Sequence, residues 1–147
     1  MKQYLLALLS TLIMLTTTSI EARDDRLMFS VKDAMSMEKA KNALDGDIRF
    51  YFGDQKHPKI LKNFGEVMTN KKTNAFNKTD KSACEWAFLS AMVSFQSRIA
   101  REGGNAVVNI RSYYKRSEVS STTEFECGAG KFVAGVTFKG DIVTLAK

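Results

Sequence analysis

The chain predicts an α+β fold, an antiparallel sheet of four to five strands packed against one long helix, with a short N-terminal helix. Three observations carry this. The run Lys81–Glu102 repeats apolar residues in steps of three and four. Several shorter runs alternate apolar and polar residues, as half-buried strands do. Asp-Gly and Gly-Gly pairs punctuate them.

The first 22 residues stand apart from that domain. Lys2 gives a positive start, Leu5–Leu15 an apolar run of about a dozen residues, and Ile20-Glu21-Ala22 a cleavage site ending in a small residue. The run is shorter than the roughly 20 residues a transmembrane helix needs. It therefore reads as a secretory signal, residues 1–22, ahead of a single domain, residues 23–147, with no transmembrane segment after processing and a periplasmic or secreted, bacterial location. No cysteine follows it, so a lipoprotein anchor is not expected.

Residues 23–30 read as an extended arm. Val31, Ala34, Met35 and Leu44 then mark a short helix, opened by Ser30 with Asp33 and closed by Asp45-Gly46. Ile48–Phe52 is aromatic and β-branched and reads as a strand, with Ile60–Met68 returning beside it after the turn at Gln55–Pro58. Thr69–Thr79 shifts to Asn, Lys and Thr and reads as a basic loop. Asp80 caps the long helix, whose buried stripe is Cys84, Phe88, Met92, Phe95 and Ile99, and Gly103-Gly104 ends it. In Ala106–Tyr114 the alternation places Ala106, Val108 and Ile110 toward the helix. Val119–Cys127 and Lys131–Lys139 follow as strands, the latter with Phe132, Ala134, Val136 and Phe138 on one face, and Ile142–Leu145 adds a last short strand or a tail.

The 147 residues are 44% apolar with one proline, which excludes collagen-like and disordered classes. Their net charge is +6 and the isoelectric point about 9.4, favouring anionic surroundings. Loss of residues 1–22 removes Lys2 and Glu21, one charge of each sign, and leaves +6. In an oxidising compartment the two cysteines are most simply one disulfide, Cys84 to Cys127, worth about 4 kcal/mol for a loop of this length. Cys84, His57 and Cys127 lack the close spacing of a zinc site, so no metal and no cofactor is expected.

The run Gly103–Tyr113, in which a helix ends in a glycine turn and an Ala-Val-Val strand, resembles the YbjQ-type family. The stress-sensing lipoprotein of the Rcs phosphorelay is similar to the same core. Phe64-Gly65-Glu66, the run Thr69–Lys78, Cys84, Trp86, Glu126-Cys127 and Val133–Val136 extend the likeness to short exported bacterial proteins carrying the label "excinuclease ATPase subunit". The resemblance implies the fold, export and self-association as a homo-oligomer. The ATPase label finds no support in the residues: a P-loop needs G-x-x-x-x-G-K-[ST], whereas Gly130-Lys131 has Phe125 five positions earlier and Phe132 next.

The best binding candidates are Lys71, Lys72, Phe76 and Lys78, a basic segment enclosing an aromatic residue, suited to an anionic envelope component or a protein partner. Arg111, Tyr113 and Lys115 form a secondary basic-aromatic surface. Such mixtures also occur on single-stranded nucleic-acid platforms, but export argues against that partner. Trp86 reads as core. The expected function is a non-enzymatic, exported binding module. Two alternatives are a cell-wall or lipid hydrolase using carboxylates such as Glu66 and Asp80, and a metal-responsive envelope sensor.

Overall fold

The computed structural model describes residues 22–147, so the expected leader lies outside the described residues apart from Ala22. The architecture is α+β. In chain order the elements are β1 (Asp25–Ser30), α1 (Val31–Ser36), α2 (Glu38–Ala43), β2 (Arg49–Phe52), β3 (Ile60–Asn74), α3 (Asp80–Glu102), β4 (Ala106–Ser112), β5 (Glu124–Ala129) and β6 (Val133–Leu145). The sheet has six strands, ordered β1-β5-β6-β4-β2, with β3 paired along the free side of β6.

β6 organises this sheet because it is long enough to serve three neighbours. Its start pairs with β5 at Gly135 and Ala134, its later half with β4 from Phe138 to Val143, and its other edge with β3 from Val133 to Leu145. Every one of these pairings is antiparallel, but β2 runs parallel to β4. A parallel pair requires a crossover, and here β3 and α3 supply it. The sheet is therefore mixed and curled rather than purely antiparallel.

Helix α3 covers one face. Its side chains Ala83, Cys84, Ala87, Phe88, Ala91, Met92, Phe95 and Ile99 are buried against Val107, Ile110, Phe125, Val136, Phe138 and Ile142. The centre is aromatic: Phe88 lies 4.6 Å from Phe125 and 5.8 Å from both Phe52 and Phe138, ring centre to ring centre. The expected bridge is present, with Cys84 joined to Cys127 at a Cα separation of 5.9 Å. It ties the first turns of α3 to β5, which holds the pairing arm β1 through six consecutive partners. On the opposite face Ala106, Val108, Val143 and Leu145 make a smaller cluster under Tyr51.

Several expectations need correction. The N-terminal helix is two helices, separated at Met37, whose ψ of 140° is extended. Ala34 and Ala40 are both buried, yet a six-residue step turns a continuous helix by about 240° and would aim them apart. Breaking at Met37 lets both point inward. The N-cap of α3 is Thr79, whose side chain accepts from the Ser82 N–H at 3.1 Å, while Asp80 is the first helical residue. Ile60 and its neighbours pair with β6 and not with β2, and the strand continues to Asn74. The expected basic loop is thus mostly strand, and the connection to α3 is short.

The faces of β4 differ too. Ala106 and Val108 belong to the smaller cluster, whereas Ile110 joins Val107 in the main core. Asn109 has φ 53°, and the register with β6 shifts between Val108 and Arg111. That bulge reverses the alternation after Val108.

Candidate functional site

Putting Thr69–Asn74 into a strand separates the basic residues, because successive side chains on a strand point to opposite faces. Lys71 is half-buried on the α3 side and lines a groove with Ser94, Ser97 and Arg101 of that helix. Lys72 is exposed on the other face, beside Arg23, Tyr114 and Val133 at a cavity of about 430 Å³. Lys78 follows the strand and donates from Nζ to the Asn74 carbonyl at 2.7 Å. Lys71 and Lys72 therefore do not form one patch.

Phe76 lies at the end of the β3–β6 pair. The Asn74 side chain accepts from the Phe76 N–H at 2.8 Å, turning the chain, and the Ala75 N–H donates to the Phe132 carbonyl at 2.8 Å. These bonds bring two rings together: Phe76 and Phe132 stack with centroids 5.9 Å apart and planes inclined by 15°. Phe76 is 53% exposed, Phe132 59% and the adjoining Val133 50%. Lys131 reaches over the Phe132 ring at 5.6 Å. The tip is an apolar point with Lys131 over one ring and Lys78 held on the Asn74 carbonyl close by in the chain.

Phe132 and Lys131 were not in the expected site, and Phe132 was expected inside. It precedes β6, which begins at Val133, so the strand alternation that buries Ala134, Val136 and Phe138 does not reach it. The signal available in the sequence was Gly130, which closes a turn by donating to the Val133 carbonyl at 2.9 Å.

The secondary surface is closed on itself. Arg111, whose side chain is 11% exposed, pairs with Glu66 and with Glu118 at 3.0 Å. Burial alone would lower the Arg111 pKa, but its hydrogen bonds to both carboxylates raise it above the ordinary value. The guanidinium in turn holds the Glu66 carboxyl below its usual range. Lys139 sits 3.8 Å over the Tyr113 ring and 3.7 Å from Glu66. Lys115 pairs with Asp24, and the Tyr114 hydroxyl donates to the same carboxylate at 2.7 Å. Tyr114 is thereby packed under the arm, against Gly128. Trp86 is half-buried rather than core, with Lys39 Nζ 3.7 Å over its ring.

Glu66 and Asp80 are not a facing pair. Asn74 lies eight positions beyond Glu66 along β3, about 26 Å of extended chain, and Asp80 begins α3 beyond that end, paired with Arg23. Glycoside hydrolysis needs carboxyls within about 10 Å. Among the described residues no group of three or more His, Cys, Asp or Glu gathers at a metal-binding spacing, and the bridge occupies both thiols of the candidate trio with His57. His57 instead places its Nδ1 2.8 Å from the Pro58 carbonyl. No helix among the described residues is long and apolar enough to cross a membrane. Comparisons with protein-family models, with curated proteins and with solved structures gave no match.

Proposed function

We propose that the protein is a non-enzymatic binding module of an oxidising, extracytoplasmic compartment, and that it docks on an anionic lipid surface through the Phe76–Phe132 tip. The observation that carries this is the pair of stacked, half-exposed rings beside Val133 at one end of the β3–β6 pair, with Lys131 over one ring and Lys78 bonded to the Asn74 carbonyl. Aromatic side chains favour the boundary between headgroups and acyl chains, and each lysine near an anionic surface adds about 1 kcal/mol. The net charge of +6 acts in the same direction over longer range. The disulfide is compatible with such a compartment. Kinship with YbjQ-type proteins, periplasmic or secreted location and self-association belong to the same proposal and rest on the sequence runs described above. The hydrolase reading lacks a facing carboxylate pair, and no observation favours it.

Co-sedimentation with vesicles tests the reading. The wild-type chain is expected to pellet with phosphatidylglycerol vesicles and not with phosphatidylcholine vesicles, and the Phe76→Ala/Phe132→Ala variant to lose at least about tenfold in affinity. Equal binding by that variant would overturn the role of the tip. Indifference to lipid charge would overturn the choice of partner, leaving an acidic protein as the occupant to examine.

A further inference from the structure

We infer that the groove between α3 and β3 is a second, separate binding site, for a tetrahedral oxyanion of the phosphate or phosphate-monoester class. Its two walls each bring one cation. Lys71 comes from the strand and Arg101 from the last turn of the helix, and both line a groove of about 530 Å³ with Ser94 between them. Among the described residues neither cation has a carboxylate partner within ion-pair distance. This sets them apart from Arg23, Arg111 and Lys115, each of which is paired inside the molecule.

A small pocket adjoining the groove supplies an independent observation. Thr69 is 5% exposed, and its hydroxyl oxygen is buried with no hydrogen-bond partner. It lines a pocket of about 60 Å³ together with Ser94, Arg98 and Arg101, and two of those residues are also walls of the larger groove. A buried hydroxyl without a partner is disfavoured in a folded chain, so its presence at the end of a cationic groove points to something that fills it. Ser90 and Ser97 donate back to the Trp86 and Val93 carbonyls, each at 3.0 Å. Ser94 is then the hydroxyl on the groove wall left to donate to an oxyanion, with the Thr69 hydroxyl buried behind it in the adjoining pocket. Arg98 is neutralised by Glu102, so the net charge offered is that of Lys71 and Arg101. Two cations and the Ser94 hydroxyl on the groove walls match a dianionic phosphate, whose several acceptor oxygens each take a hydrogen bond, and the partnerless Thr69 hydroxyl lies next to them.

The site lies along the α3 seam and shares no residue with the lipid-docking tip, so the two assignments stand or fall separately. Amide NMR titration of the mature protein with sodium phosphate, with glycerol phosphate, and with sodium chloride at matched ionic strength tests it. Saturable shifts at Thr69, Lys71, Ser94 and Arg101 with the two phosphates, and none with chloride, are expected. Tighter binding of glycerol phosphate would identify an esterified headgroup or polymer as the source, and equal binding would identify free phosphate. Arg101→Gln, on an exposed helix position, and Lys71→Gln should each weaken binding about tenfold. Shifts that do not saturate, or that both variants leave unchanged, would overturn the site and leave Thr69 to an ordered water.

Discussion

Tyr114 shows how closely single residues hold the arm to the sheet. Its ring lies against Gly128, where a Cβ would come within 2.1 Å of the phenol, and its hydroxyl reaches Asp24. Burial, with the Asp24 hydrogen bond second, pushes the phenol pKa from 10.0 up to about 12. A raised pKa in the folded state means that the contribution to stability is complete below pH 10 and fades as pH climbs through about 12. Absorbance titration of tyrosinate should show one late transition near pH 12, absent in Tyr114→Phe. That variant should also lose about 1 kcal/mol at neutral pH, the ordinary net worth of one part-buried hydrogen bond. On the acid side Lys115 and Tyr114 hold the Asp24 carboxyl below its ordinary 3.8, so its contribution is present above that pH and is lost below it. None of this was legible in the sequence: Asp24 and Tyr114 lie ninety residues apart, and the pairing of β1 with β5 brings them together.

At the scale of elements, the apolar stripe of α3 was legible because a buried helix face repeats at a fixed spacing. Cys84, Phe88, Met92, Phe95 and Ile99 all lie in the core as that spacing requires. Phe88→Ala should cost 3 to 5 kcal/mol in urea unfolding, since it empties the centre of the four-ring cluster. Thr79→Ala should cost about 1 kcal/mol through loss of the cap to Ser82, whereas Asp80→Asn should leave the cap intact. The second half of β3 was not legible. An edge strand with β6 on one side needs little apolar content, and Asn70, Lys72 and Asn74 are exposed. Its pairing register, rather than its composition, makes it a strand. The reversal of faces in β4 was hidden for a related reason, since one residue, Asn109, takes up the bulge.

Across the whole molecule the disulfide joins the two layers, α3 on one side and the β5–β1 pair on the other. The cysteines are 43 residues apart in sequence, a loop for which the chain-entropy account gives about 4 kcal/mol, a large part of the 5 to 15 kcal/mol of an ordinary domain. The Cys84→Ala/Cys127→Ala variant should unfold at correspondingly lower urea concentration, and the wild type treated with dithiothreitol should match it. Equal midpoints with and without reductant would show that the bridge contributes nothing. Of the candidate site, Phe76 and Lys78 were legible as a basic-aromatic segment. Phe132 and Lys131 were not, because they come to Phe76 through the β3–β6 pairing.

The claim that this tip meets an anionic lipid surface can be measured at the tip itself. The chain has one tryptophan, so Phe132→Trp in a Trp86→Phe background gives a single reporter there. With phosphatidylglycerol vesicles its emission should shift to the blue and be quenched by brominated acyl chains, with no change on phosphatidylcholine vesicles. Emission unchanged at saturating anionic lipid would contradict the account.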